Sequence, residues 1–189
     1  MSTETPEYLL WLDFETTGLV KPDPIQVAVV LTRADDLQEI SAYETLIDTA
    51  IDPWTWEALG MHATSGLVTD WLLARKARTL ASVTEAQYGA IDLLRALDID
   101  EATLAGSGVG TFDLPLIRRC MPRLAERLTY HVHDVGVLRR AYRRATGTDL
   151  TPRTEPEHRA MADVQQSLAE GRAFADLFRA KADARLARK

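Results

Sequence analysis

Two acids spaced two residues apart, Asp13 and Glu15, close an apolar run, Tyr8-Leu9-Leu10-Trp11-Leu12. A continuous apolar run with polar bounds is expected of a strand covered on both faces. Side chains repeat every two residues along a strand, so both carboxylates point to one side and Phe14 to the other. Ionised carboxylates held together repel and lose hydration near a sheet, and a hard divalent cation removes both penalties. The carboxyl end of a strand is also where α/β sheets tend to bind ligands.

Asp113 follows a glycine-rich stretch, Gly106-Ser107-Gly108-Val109-Gly110. It could cap a helix starting at Leu114, with Pro115 in the first turn, a role that does not exclude a metal-side one. The glycines lack the Lys-Ser/Thr ending and the spacing of a phosphate loop. His158 and Asp163 sit five positions apart. On one helix, five steps of 100° would place them about 140° apart. They share a site only if His158 occupies a non-helical entry, which Pro156 favours. Singly, each group has an ordinary alternative: a hydrated acid pair, a helix cap, an exposed histidine. Jointly, four acids on three elements and one histidine suit metal-assisted phosphodiester hydrolysis. Two cations about 4 Å apart can hold the scissile phosphate, acidify the attacking water and neutralise the leaving 3′ oxygen. A histidine titrating near neutrality can take the proton from that water.

The elements that must position these groups follow from periodicity. After the first strand, a turn signal at Thr16-Thr17-Gly18 leads to a second strand over 25–32. A turn at Ala34-Asp35-Asp36 then returns the chain as a third strand over 40–47. This opening reads as an antiparallel meander. Helical patterns cover 66–77 and 84–97, the latter with Thr84 as its N-cap, and a short strand covers 103–105. A helix over 113–120, a strand over 130–135, an amphipathic helix over 137–145 and a long helix after Pro156 complete the pattern. Strands first, then helices alternating with short strands, indicate an α/β sandwich around one mixed sheet. A single domain over 1–189 is expected, with a core of about 7–178 and a tail over 179–189.

Composition agrees with a packed domain: 46% hydrophobic and 26% charged residues in 189, with a net charge of −6. The window from Arg118 to Arg159 holds ten arginines against five acids, so it carries +5 and the remainder −11. An acidic body with one basic segment suits a short polyanion gripped locally, not duplex coated by bulk charge; solvated helix faces would give the same pattern. The N-terminal residues lack signal-peptide features, and no apolar run approaches the roughly 18 residues that span a bilayer. The single cysteine, Cys120, reads as a small core residue in a reducing compartment. A cytoplasmic protein without membrane partners is expected.

Three segments carry a family resemblance. LDFETTGL (12–19), GVGTFDLPLI (108–117) and EHRAMADVQQSLAE (157–170) resemble, in order, the three motifs of the DEDDh 3′→5′ exonuclease superfamily. Within it the chain is similar to oligoribonuclease over about 8–175. The segment Met61-His62-Ala63-Thr64-Ser65-Gly66-Leu67 matches that family's MHTxSGL, Met121-Pro122-Arg123-Leu124 its MPEL, and 130–135 the strand entering its LDVST. The resemblance implies an α/β, RNase H-like exonuclease fold: a central mixed five-stranded sheet flanked by helices. It implies a homodimer that uses two Mg²⁺ or Mn²⁺ ions to degrade very short strands, especially dinucleotides. Asp13, Glu15 and Asp163 would ligate the metals, Asp113 would complete the acidic set, and His158 would be the general base. Leu19 would wedge against a base, and a tryptophan, with Trp56 the nearest candidate, would stack on one. Tyr130 matches a tyrosine used near the scissile phosphate, and Thr16, His62 and Ser65 in the matched motifs join the candidate substrate-binding set.

One part of the pattern departs. The family's 5′-phosphate cap uses an arginine after the tyrosine and a Ser-Thr pair after Asp-Val, where this chain has His131, Gly136 and Val137. The chemistry is expected to be intact and the cap weakened. A proofreading or RNase T-like exonuclease acting on longer single-stranded DNA or RNA is the enzymatic alternative. A catalytically silent nucleic-acid-binding module is the non-enzymatic one.

Overall fold

The computed structural model describes residues 7–52, 54–152 and 155–187. Three strands, β1 (Tyr8–Thr16), β2 (Pro24–Arg33) and β3 (Glu39–Leu46), form the expected antiparallel meander. β4 (Ala102–Gly106) then pairs parallel to β1, and β5 (Leu128–Asp134) parallel to β4. The sheet order is β3-β2-β1-β4-β5, a mixed five-stranded sheet with β1 at its centre. β1 runs on through Thr16 because Asp13 pairs with Ala28 and Glu15 with Gln26, so both acids lie within a paired strand.

Alternation along β1 divides the core. Leu10, Leu12 and Phe14 join a cluster with Val27, Val29 and Leu31 and with helices α3 (Val83–Arg95), α4 (Asp113–Cys120) and α5 (Pro122–Ala125). Leu9 and Trp11 face the other way, with Ala28 and Val30, against α7 (Ala160–Leu186). Asp13 and Glu15 share the parity of Trp11, so they point to the face that α7 covers. Trp11 is fully buried and donates from Nε1 to Thr32 Oγ1 at 3.0 Å. α7 lies close enough that a Cβ on Gly171 would come within 2.5 Å of the Trp11 ring. At the end of β4, Gly106 has φ +150°, and a Cβ there would sit 2.9 Å from the Leu12 carbonyl oxygen. A side chain would push β4 off β1 at the level of the acids.

α6 (Val135–Thr146) is capped by Asp134, whose Oδ1 accepts from Val137 N and Gly108 N, each at 3.1 Å. That carboxylate ties the start of α6 to the loop after β4. α2 (Leu67–Ala77) buries Leu67 and Trp71 against Ile25, and Trp71 Nε1 donates to Ile47 O at 2.8 Å.

Several boundaries differ from expectation. α3 is capped by Ser82, not Thr84: Ser82 and Glu85 form a reciprocal capping box, which satisfies two free N–H groups where Thr84 would satisfy one. A helix not expected, α1 (Trp56–Thr64), buries only Ala58 and His62, a stripe too narrow to register as a helical period. Of the expected tail over 179–189, residues 179–186 continue α7 to Leu186. Cys120 is half-buried against the larger core cluster, as expected of a small packing residue. No helix among the described residues is long and apolar enough to cross a membrane.

Candidate active site

The N-terminus of α7 is set by a buried polar residue of β2. Gln26 lies on the α7-facing side of that strand, 2% exposed, and its Oε1 accepts from Ala160 N at 3.0 Å. The same amide donates to Glu44 Oε1 at 2.7 Å, which fixes its orientation. Helix begins only at Ala160, and His158 lies before it with φ +54°, in the left-handed region. This is the non-helical entry that the His158–Asp163 spacing required. Asp163 Oδ1 accepts from Glu157 N at 3.1 Å and closes the turn that carries His158. Arg159 Nη1 anchors the turn from outside, donating to Asp70 Oδ2 of α2 at 2.6 Å.

Ligand atoms of Glu15, His158 and Asp163 consequently lie within 4.8 Å of one another. Asp13 stands beside Asp113, Glu15 and Asp163. Burial, then these three charges, Asp113 foremost, push its carboxyl well above the usual range. Burial and the adjoining Asp163 push Glu15 up to about 8, opposed by the Arg159 charge. Asp113 is raised to about 7 by burial, although the backbone N–H groups of Asp113 and Phe14 pull it back and Asp134 adds to the rise. Asp113 is the first residue of α4, with Phe112 in the N-cap position, and its buried Oδ1 has no hydrogen-bond partner. Three buried acids driven toward protonation, one with an orphaned oxygen, are a donor set short of positive charge. Hard cations such as Mg²⁺ or Mn²⁺, which prefer carboxylate oxygens, suit that set.

These groups line a cleft of about 690 Å³. Phe14, Leu19, Val20, Ala58 and Met61 supply apolar lining, and Ser107, Arg139, Gln166, Ser167 and Glu170 supply polar lining. Among the expected substrate contacts, Leu19 lines the cleft and is 83% exposed. Thr16 also lines it, but its hydroxyl donates to Gly18 O at 2.8 Å and holds the turn. Trp56 is exposed at the start of α1, beside lining residues Thr55 and Glu57 but not itself in the lining. Trp54 packs edge-on against His62 and Trp71.

Three further expected substrate contacts, His62, Ser65 and Tyr130, are not among the residues lining the cleft. His62 is fully buried behind the cleft, with Nε2 2.9 Å from Thr16 O and Nδ1 3.6 Å from Glu15 Oε2. Because the Thr16 carbonyl can only accept, Nε2 carries the proton, and His62 backs Glu15 from the protein side. Ser65 caps the C-terminus of α1 and donates its hydroxyl to His62 O at 3.2 Å. Tyr130 stands on β5, 89% exposed and outside the cleft lining. His131 is exposed on the same strand, and Val137 is exposed on α6. Gly136 is hemmed in: a Cβ there would lie 3.0 Å from Ser107 Oγ and 3.2 Å from Arg140 Nη1. Gln26 was not among the expected site residues. Its signal was its parity with Ala28 and Val30 in IQVAVVLT, a polar group on the face of β2 that a helix must cover.

No model of a known protein family matches the chain. Curated relatives do. The oligoribonuclease of Cutibacterium acnes is 32% identical over 177 residues, covering 86% of this chain and 81% of that one. The oligoribonuclease of Corynebacterium diphtheriae is 33% identical over 177 residues, covering 86% and 79%. Among solved structures, exonuclease I from Methylocaldum szegediense superposes with a TM-score of 0.65 at 19% identity over 90% of this chain. E. coli exonuclease I in complex with a dA16 oligonucleotide gives 0.61 at 17% identity over 88%. This chain spans 40% of the length of each of those two exonuclease chains, and the likeness to them is one of fold.

An RNase H-like sheet carries acids at the end of its central strand and a histidine before its last helix, on the fold shared with those exonuclease I structures. By its curated relatives the chain belongs to the oligoribonuclease family of 3′→5′ exonucleases.

Proposed function

We propose that this protein removes nucleoside 5′-monophosphates from the 3′ ends of short single-stranded RNA or DNA, with Asp13, Glu15, Asp113 and Asp163 holding two Mg²⁺ or Mn²⁺ ions. The observation that carries the reading is the convergence of charge-starved carboxylates from β1 and α4, together with Asp163 of α7, on His158. Bound there, divalent cations would neutralise the acids and supply Lewis-acid activation of water and of the leaving oxygen. His158, on its left-handed turn, is free of the helix and takes the proton from the attacking water. Asp163 keeps that turn closed through Glu157 N. Leu19, Val20 and Met61 give base faces an apolar surface that excludes water without reading sequence. The proposal extends to one domain acting as a homodimer in the cytoplasm.

The replacement of the cap residues favours a second reading, in which longer single strands are also shortened. His131 and Val137 are exposed, and a Cβ on Gly136 would crowd Asp134, Ser107 and Arg140. A time course on 5′-labelled RNA and DNA from two to twenty nucleotides in Mn²⁺ decides between them. Rapid loss of dinucleotides alone supports the strict form, and even shortening of long strands supports the broader one. Hydrolysis that survives both EDTA and Asp13→Ala would overturn the metal-dependent centre itself.

A further inference from the structure

The backbone at His158 is strained. Its φ of +54° lies in the left-handed region, which a residue bearing a Cβ keeps only where neighbouring contacts hold it. Among the described residues, three side chains from three elements grip the chain on either side of it. Asp163 of α7 accepts from Glu157 N at 3.1 Å, and Gln26 of β2 accepts from Ala160 N at 3.0 Å. The third grips a side chain: Asp70 Oδ2 of α2 accepts from Arg159 Nη1 at 2.6 Å, across 89 positions of sequence. With the two side chains 31% and 48% exposed, such a pair would be worth little if its ends were free to move.

Neither end is free. Asp70 precedes Trp71, whose buried ring packs with Ile25 and Leu67 and whose Nε1 donates to Ile47 O at 2.8 Å. Two successive residues of β2 therefore fix both partners: Ile25 seats α2, and Gln26 holds the first residue of α7. The Arg159–Asp70 bond joins the two, and His158 lies on the span beside it. Neither Asp70 nor Arg159 lines the cleft, so contact with substrate is not their role. Resting on the exonuclease reading above, we propose that Asp70 is a positioning residue: through Arg159 it holds His158 in the left-handed turn that brings the imidazole to Glu15 and Asp163. The rival account is charge alone, since Arg159 draws the Glu15 carboxyl down against burial.

The test follows Asp70→Asn, Asp70→Glu and Arg159→Gln beside the parent, by amide hydrogen exchange without metal and by hydrolysis of a 5′-labelled dinucleotide in Mn²⁺. In Asp70→Asn, the amides of Glu157 and Ala160 should exchange about fivefold faster, while those around Trp71 keep their protection. Its kcat should fall about tenfold with KM within about twofold, inside the roughly 10²-fold that a misplacement of about 1 Å can cost. Asp70→Glu should restore most of the loss. The decisive comparison is made in His158→Asn, whose asparagine tolerates the left-handed turn. There Asp70→Asn should cost no further kcat, because residues that act through one group are not additive. A further tenfold loss in that background, or unchanged exchange at Glu157 and Ala160, overturns the proposal. So does a loss in Arg159→Gln with none in Asp70→Asn, which assigns the effect to charge. Faster exchange throughout α2 in Asp70→Asn also overturns it, assigning the effect to the first turn of that helix, where an acid favours the helix itself. If the parent hydrolyses no strand, the exonuclease reading fails, while the exchange series still decides whether Asp70 holds the turn.

Discussion

Without divalent cation, raising the pH from about 6.5 to about 8.5 should destabilise this protein, and Glu15→Gln should remove the share of the loss that Glu15 carries. Glu15 is pushed from an ordinary 4.5 up to about 8, with burial the largest cause and Asp163 the next. Its folded-state pKa is raised, so the folded protein holds a proton that the unfolded chain has released. The associated stability is full below about 4.5 and is lost as pH rises through about 8. From pH 6.5 to 8 is 1.5 units, and at 1.36 kcal/mol per unit the loss is about 2 kcal/mol. Asp13, raised in the same direction, and Asp113, at about 7, add to it. The window starts at 6.5 for a reason: His62 and His133 are lowered from 6.5 by burial, and their contribution is lost as pH falls through 6.5. Above it both are neutral in either state and drop out. The side chain of Glu15 is only 7% exposed, so solvent screening takes little from the figure. In a domain of this size, 2 kcal/mol lowers Tm by about 4–8 °C. Thermal melts in EDTA at constant ionic strength measure it, and saturating Mn²⁺ should flatten the curve as cations take the place of protons. A metal-free Tm that is level or rising across the window would refute the reasoning, as would Glu15→Gln retaining the parental slope.

Other perturbations are as direct. His158→Asn should lower kcat by about 10²- to 10⁴-fold with little change in Tm, because in the proposed mechanism the side chain acts on the water and it belongs to no core cluster; stopped-time assays in Mn²⁺ read it. Gln26→Leu leaves Ala160 N buried without its acceptor, so a loss of about 1–3 kcal/mol by urea titration should accompany a fall in kcat as the His158 turn loosens. Gly171→Ala drives a methyl to 2.5 Å from the Trp11 ring and should cost about 1–3 kcal/mol by the same titration, although alanine is the better helix former.

Where local pattern and global packing agree, the architecture was readable. The run ending at Leu12 announced a doubly covered strand, and the parity of Asp13 and Glu15 followed from it. The angular mismatch between His158 and Asp163 required the helix to start between them, and it does, at Ala160. α1 was not readable because Gly60 interrupts it and only two of its side chains are buried. For the same reason His62 passed for a substrate contact: nothing local says which face of a short helix turns inward. Asp113 passed for a possible cap because its position fits one. The helix instead starts at Asp113 itself, one residue before Leu114, with Phe112 in the cap position. Gln26 was hidden by company, one amide in an apolar strand, until the residue it holds across 134 positions is known.

That long reach has a consequence for how the protein is made. Residues up to Asp134 complete all five strands, yet leave the Trp11 face without α7 and the acidic centre without Asp163 and His158. A partly synthesised chain thus holds every strand while still lacking two of the proposed catalytic groups. Since domains build from the N-terminus as they are translated, the proposed centre is complete only once α7 docks.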